Sequence, residues 1–344
     1  MLVSIVISAY NEEKYLPGLI EDLKNQSYPH NLIEIILINA MSTDKTKDIM
    51  ENFQKNNSDF HKIKVIDNPK KVQPSGFNLG VKNSEGDVVL KIDAHSKVTS
   101  DFVEKNVNVI NTGEYVCGGK RPTIVETSDN FSKTLHLVEE NMFGSSIASY
   151  RKSDEDRYVD SIFHGMYRKE VFEKAGLLNE KLIRTEDNEI HYRIRKNGFK
   201  IKYSKDILSY QYIRPTLKKM LKQKYSNGYW IGLTSHVEFK CLSIFHFVPL
   251  AFVLAIIFSL CMIPITSIFI ILLSSVYFLF TILITKYIIM FPSPFRVSFL
   301  LILPQQTPYF IIYCFIIFVR ILKIFIFLFL NNKKYTLTPI FKVS

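Results

Sequence analysis

Short buried runs and amphipathic stretches alternate along the first part of the chain. Val3 to Ser8 is a β-branched run of strand length, and Glu13 to Asn25 follows with Leu16, Leu19, Ile20 and Leu23 at helical spacing. Ile33 to Ile38 predicts a second buried strand, and Ser42-Thr43-Asp44 supplies cap residues for a helix from Lys45 to Lys55. A third strand, Ile63 to Ile66, runs into Asn68-Pro69. A helix around Ser75 to Asn83 then leads through Gly86-Asp87 to a fourth strand, Val88 to Ile92. Strict alternation of strand and helix implies an α/β fold with a Rossmann-like, mostly parallel, doubly wound sheet whose ligands bind at the carboxyl ends of the strands. Ala9, Tyr10, Asn11, Asn39 and Asp93 then fall along one edge.

The end of the chain follows a different pattern. Cys241 through Thr285 contains no Asp, Glu, Lys or Arg for 45 positions, and Val297 through Val319 contains none for 23. A spanning helix needs ~20 apolar residues, so the first run has length for two passes with a turn at Pro264. The expected organisation is a domain over 1–235 and a membrane region over 241–330, with a hairpin at 241–285 and a third hydrophobic segment at 297–330. That third segment is interrupted by Pro304 and Pro308, and a crossing would leave Lys333, Lys334 and Lys342 outside, against the charge rule. It reads slightly better as interfacial or re-entrant than as another pass. Met1 to Ile7 lacks the basic region of a signal peptide, so the first domain is expected in the cytoplasm, on the inner face of the cell membrane.

Charge and composition narrow the functional classes. The net charge is +11, and Lys218, Lys219, Lys222, Lys224, Lys240, Lys286 and Arg296 cluster about the hydrophobic part. Contact with anionic lipid accounts for them. No aromatic-basic recognition motif accompanies the charge, so nucleic acid is not expected as a partner. The first strand is not followed by G-x-G-x-x-G, and no phosphate-binding P-loop occurs, which removes dinucleotide oxidoreductases and P-loop enzymes. Cys117, Cys241, Cys261 and Cys314 suggest neither a disulfide nor a metal site.

Three constellations carry chemistry. Asp93-Ala94-His95 ends the fourth strand, so Asp93 and His95 lean to one side and could ligate Mn²⁺ or Mg²⁺ held mainly by a diphosphate. An ordinary strand-end Asp beside a surface His has the same spacing. Thr185-Glu186-Asp187 opens a helix with Ile190 and Ile194 on one face, a Glu189–Arg193 pair and a stop at Gly198. With Thr185 as N-cap, Asp187 falls in the first turn, where the helix dipole favours its charge and it could take a proton from a hydroxyl. Acids there also serve simply to stabilise a helix start. Finally, the block Gln223 to Trp230, preceded by Tyr212-Ile213-Arg214, suits a sugar ring and a phosphate, and equally suits an aromatic belt at a membrane surface.

Taken in order, Ser4 to Glu12, Met41-Ser42-Thr43-Asp44, Asp67-Asn68-Pro69 with Asn78-Leu79-Gly80, Asp93-Ala94-His95, Arg184 to Asp187 and the Gln223 to Trp230 block resemble glycosyltransferase family 2. These are inverting enzymes of GT-A fold, and the chain is most similar to a branch of succinoglycan and other exopolysaccharide glucosyltransferases. The resemblance runs from Val3 to about Trp230. It implies that Ala9, Tyr10, Glu12, Asn39, Asp44, Asn78 and Asp93 bind a nucleotide-sugar donor and that Asp93 and His95 hold a divalent metal. It implies Asp187 as general base with Glu186 beside it, and Arg214, Gln223, Tyr225 and Trp230 toward acceptor or phosphate. Asn39 stands where the family commonly has an Asp that reads uracil, and His95 closes a pattern usually written Asp-x-Asp. The block ending at Trp230 lacks the Arg of the processive Gln-x-x-Arg-Trp signature, which favours addition of one sugar over polymer extrusion.

The function so implied is transfer from a nucleotide sugar, a UDP-sugar by first preference, to a hydroxyl of a lipid-linked saccharide in exopolysaccharide or capsule synthesis. Other polysaccharide-assembly enzymes are the implied protein partners. A polyprenyl-phosphate glycosyltransferase of the same fold, or a membrane-bound nucleotide-sugar binding module without turnover, would share much of this sequence.

Overall fold

The computed structural model describes residues 1–124, 153–212 and 217–263, with a few positions between 267 and 279. The chain divides into two compact units, the first holding the described residues up to 212 and the second those from 217 onward.

In the first unit the elements are β1 (Val3–Ala9), α1 (Leu16–Lys24), β2 (Ile33–Asn39), α2 (Thr46–Asn56), β3 (Lys62–Asp67), α3 (Gln73–Asn83), β4 (Val88–Asp93), β5 (Ser96–Val98) and α4 (Phe102–Asn111). They continue as β6 (Val116–Lys120), β7 (Thr123–Ile124), β8 (Arg157–Tyr158), β9 (Met166–Arg168), α5 (Lys169–Ala175), α6 (Glu186–Lys196) and β10 (Ile201–Tyr212). The strands form one sheet in the order β3-β2-β1-β4-β9-β6-β10-β5, with β7 and β8 also on β10. The first four strands are parallel, as the alternation predicts. Beyond β4 the sheet is mixed, because β9 runs antiparallel to both β4 and β6.

Burial explains the sequence pattern. β2 is buried along its whole length and β1 along nearly all of it, so both read as continuous apolar runs with no alternation. α1 turns Leu16, Leu19, Ile20 and Leu23 into the core on one face. α3 lies close on β1, and Gly76 and Gly80 allow it. A Cβ on Gly76 would meet Ser8 Oγ at 2.6 Å, and one on Gly80 would overlap Val6.

The parallel register aligns the carboxyl edge. Ala9 pairs with Asn39, Asn39 with Asp67, and Ser8 with Asp93. Each loop leaving this edge from β1, β2 and β3 contains a non-glycine residue of positive φ: Asn11 at 54°, Met41 at 59° and Lys71 at 59°. Such backbone is held only where surrounding contacts fix it, and it concentrates at ligand sites.

The second unit contains α7 (Leu217–Val237), 3₁₀ turns at Phe239–Cys241 and Ile244–Phe247, and α8 (Val248–Met262). Ile231 of α7 packs with Leu242, Phe247 and Leu250. Among the described residues one helix, Ile244–Met262, is long and apolar enough to cross a membrane, with 19 residues, a mean hydropathy of 2.5 and only 11% of its most apolar stretch buried. Phe258 meets Phe269 edge-on with ring centroids 5.3 Å apart. The turn expected at Pro264 and the third segment at 297–330 lie outside the described residues.

Candidate active site

The loops after β1 and β2 are laced together at the sheet edge. Asn11 N donates to Ser42 Oγ at 3.1 Å, and Thr43 N donates to Asn11 Oδ1 at 2.8 Å. Glu12 N donates to Thr46 Oγ1 at 2.8 Å, while Lys45 N donates to Glu13 Oε2 at 3.0 Å. These bonds hold Asn11 in its left-handed conformation and set the start of α1.

Several residues expected to touch a nucleotide also build this edge. Asp44 accepts from Glu13 N at 3.2 Å and from Thr46 N at 3.0 Å, so its carboxylate is committed to the loop. Asn39 is buried; its Oδ1 accepts from Ser42 N at 2.9 Å and its Nδ2 donates to Asp67 Oδ1 at 2.7 Å. The carbonyl expected to read a base spends one of its two lone pairs on this bond. Asn78 is buried and ties α3 to the segment before α6. Its Oδ1 accepts from Leu178 N at 2.9 Å, and its Nδ2 donates to Leu178 O at 2.9 Å. Ala9 is buried with its carbonyl taken by Ala40 N, so it shapes the edge through its backbone. Tyr10 stands partly exposed beside it.

Asp93 and His95 lie where the sequence puts them, at the end of β4 and in the turn to β5. Burial raises the Asp93 carboxyl, but the Lys91 and Arg121 charges hold it below its ordinary value, so it is ionised. His95 Nδ1 lies 3.1 Å from Glu12 Oε1, and its Nε2 lies 3.3 Å from Gln211 Nε2. Behind them His164 is clamped between Ser96 Oγ at 3.0 Å and Ser209 Oγ at 2.9 Å, pinning β5 to β10. Burial pushes its imidazole down to about 3, so it stays neutral.

Among the described residues no group of three or more His, Cys, Asp or Glu could hold a metal unaided. Asp93 and His95 nonetheless fit a hard divalent cation that keeps substrate phosphate oxygens in its shell, since such an ion takes only one or two ligands from the protein.

The base side of the site is built on α6. Thr185 takes the N-cap position without a capping bond from its side chain. Arg193 grips Glu189 with two bonds, Nε to Oε1 at 2.6 Å and Nη2 to Oε2 at 2.8 Å, and donates to Leu177 O at 2.7 Å. Gly198, at φ 85°, closes the helix after its Asn197 cap. Asp187 Oδ1 accepts from Lys91 Nζ at 2.6 Å, with 6% of the lysine side chain and 22% of the aspartate side chain exposed. Burial disfavours the Lys91 charge, but the carboxylates of Asp187 and Asp93 outweigh it and hold the ammonium well above its ordinary range. Glu186 is buried, with Oε2 lacking a partner. With its amide nitrogen toward Glu186, Gln73 donates to Oε1 at 3.0 Å and accepts from Lys91 Nζ at 3.3 Å. Burial, then the Asp187 charge, pushes the Glu186 carboxyl up to about 8, so it carries its proton at neutral pH.

Lys91 was not singled out from the sequence, yet it joins the two halves. It lies two residues before Asp93 on the same strand face and reaches Asp187 across the sheet edge. The available signal was a lysine within the apolar run Val88 to Ile92, since lysine is almost never buried unless paired. Gln73, His164 and Gln211 left no such signal. Gln223, Tyr225 and Trp230 lie on α7 in the second unit, where Trp230 packs edge-on against Tyr229 at 5.5 Å. Arg214 lies outside the described residues.

Comparison with known proteins agrees with this geometry. Residues 4–176 match the family described as glycosyl transferase family 2. A dolichyl N-acetyl-alpha-D-glucosaminyl phosphate 3-beta-D-2,3-diacetamido-2,3-dideoxy-beta-D-glucuronosyltransferase of Methanococcus voltae is 32% identical over 235 residues, 67% of this chain and 73% of that protein. The succinoglycan biosynthesis protein ExoA of Rhizobium meliloti is 25% identical over 227 residues, 65% of this chain and 67% of that one. Among solved structures, a mannosyltransferase from Pyrobaculum calidifontis in complex with GDP-Man and Mn²⁺ superposes with a TM-score of 0.57 at 13% identity, over 93% of this chain and 86% of its own, which shows a shared fold. A match over half the chain, a relative at 32% identity and an edge that sets Asp93 beside a lysine-paired Asp187 lead to one assignment: the chain belongs to glycosyl transferase family 2 and is an inverting glycosyltransferase.

Proposed function

We propose that this enzyme transfers one sugar from a nucleotide sugar to a hydroxyl of a lipid-linked saccharide, with its second unit anchored in the membrane. The observation that carries the reading is the Lys91–Asp187 bond at 2.6 Å, because it fixes a base opposite the Asp93 edge. The named activity of the Methanococcus relative, on a dolichyl phosphate saccharide, supports a lipid-linked acceptor. The exposed apolar helix Ile244–Met262 supports a membrane anchor. Succinoglycan synthesis in the Rhizobium relative supports a role in exopolysaccharide or capsule assembly.

In this mechanism Asp93 and His95 would hold a divalent cation, which neutralises the diphosphate leaving group. Lys91 clamps Asp187 Oδ1 and leaves Oδ2 to meet the acceptor hydroxyl. The acceptor oxygen attacks the anomeric carbon from the face opposite the diphosphate. As that C–O bond forms, the bond to the diphosphate breaks with its electron pair, and the hydroxyl proton passes to Asp187. One displacement inverts the anomeric centre, and no residue need form a covalent intermediate. Neutral Glu186 keeps a second negative charge away from Asp187.

The test is nucleotide release by membranes carrying the enzyme, with a panel of UDP-, GDP- and dTDP-sugars, extracted lipid acceptors, and Mn²⁺ or EDTA. Release that needs lipid and metal and vanishes in Asp187→Asn is the expected result. Release untouched by that substitution would point to an acceptor that is already ionised, such as a polyprenyl phosphate. Binding of donor without release would favour a module without turnover.

A further inference from the structure

The acids of the two laced loops divide by what they hold. Glu13 and Asp44 spend their carboxylates on backbone amides of the loops themselves. Glu12, by contrast, sends its side chain across to the β4–β5 turn, where Oε1 lies 3.1 Å from His95 Nδ1. Its backbone N–H is fixed on Thr46 Oγ1, and its carbonyl receives Tyr15 N and Leu16 N at the start of α1, so the residue is anchored before its side chain reaches out.

The far side of the ring fixes the chemistry. Gln211 presents its amide nitrogen to His95 Nε2 at 3.3 Å. A carboxamide nitrogen only donates, so Nε2 is the lone-pair nitrogen and Nδ1 carries the hydrogen, which it gives to Glu12. That is the tautomer a metal-binding imidazole needs. A carboxylate behind a histidine ligand fixes ring orientation and raises the basicity of the ligating nitrogen. Both side chains are largely shielded, at 21% and 18% exposed, so the contact is weakly screened.

We propose that Glu12 is a positioning residue for His95. It sets the Nδ1–H tautomer and aims Nε2 at the cation of the donor complex, with Gln211 occupying that lone pair until the cation displaces it. The inference rests on the metal-assisted reading above and deepens it by giving Glu12 a place behind the metal, where the sequence reading put it against the nucleotide.

The experiment measures Mn²⁺ binding to the purified full chain with UDP present, by the electron paramagnetic resonance signal of free Mn²⁺. It compares wild type, Glu12→Ala, Glu12→Gln, His95→Ala and the Glu12→Ala/His95→Ala double variant, and UDP binding without metal is measured alongside. Glu12→Ala is expected to weaken Mn²⁺ by about 10- to 100-fold. Glu12→Gln, which keeps an acceptor oxygen but not the charge, should fall between it and wild type. The double variant should bind no more weakly than His95→Ala, and UDP alone should bind as in wild type.

Unchanged Mn²⁺ affinity in Glu12→Ala, additive losses in the double variant, or weakened metal-free UDP binding would each overturn the proposal. The last of these would return Glu12 to the nucleotide. A wild type that holds no Mn²⁺ with any nucleoside diphosphate would sink the metal reading and this inference together. A wild type that binds Mn²⁺ no better than Glu12→Ala would sink this inference alone.

Discussion

Glu186→Gln separates a buried proton from the rest of the site. The Glu186 carboxyl stands at about 8 in the folded chain against 4.5 when free, because it is buried and faces the Asp187 charge. Between those values the folded protein keeps a proton that the unfolded chain has released, so stability is complete below pH 4.5 and falls as pH rises through 8. Each pH unit across that window removes roughly 1.4 kcal/mol, which sums to roughly 5 kcal/mol over the whole of it. Glutamine is close in shape and cannot ionise. The variant should therefore gain on wild type steadily from pH 5 to pH 8. Urea unfolding of the full chain in detergent, followed by circular dichroism at pH 5, 6, 7 and 8, gives the two curves. Curves that stay parallel across this range would refute a neutral Glu186. So would a variant that loses ground as pH rises, which would mean that the carboxyl is ionised and stabilising.

Two further outcomes follow from the packing. Lys91→Met leaves the half-buried Asp187 beside Glu186 without its partner, at a cost of about 3 kcal/mol, the low end for a buried pair. Adding Asp187→Leu should recover part of this in thermal unfolding, whereas full additivity would show that the two side chains act separately. Gly80→Ala places a methyl group on Val6; overpacking of about 1–3 kcal/mol outweighs the helix propensity gained, so the melting temperature should fall. A rise would mean that α3 can move off β1.

The parallel half of the fold was legible because β1, β2 and β4 are buried on both faces and α1 carries a clean apolar stripe. β1 to β4 appear within a residue or two of their predicted ends. The mixed half was not, because β5, β7, β8 and β9 are two or three residues long and depend on pairing partners far along the chain. In the site, the positions of Asp93, His95, Glu186 and Asp187 followed from strand ends and a helix start. Their electrostatics did not: Glu186 is neutral because it is buried beside the Asp187 charge, and Asp187 is bound by Lys91, 96 residues away in sequence. Asn39, Asp44 and Asn78 show the converse. Polar residues at a strand end or helix face read as facing a ligand, and that they also satisfy backbone and side-chain groups of neighbouring segments shows only in the structure.

Because Lys91 and Asp93 sit two residues apart on one strand, the spacing between base and leaving-group side is set in pleats rather than by degrees. One pleat repeat is about 6.6 Å, and a slip of one residue would turn both side chains away and bring Leu90 and Ile92 to the edge. Natural variation cannot widen this gap a little at a time through β4. Accommodation of a longer or bulkier acceptor must arise in the loops around the edge, while the strand works as a fixed gauge that related enzymes can share without sharing a substrate.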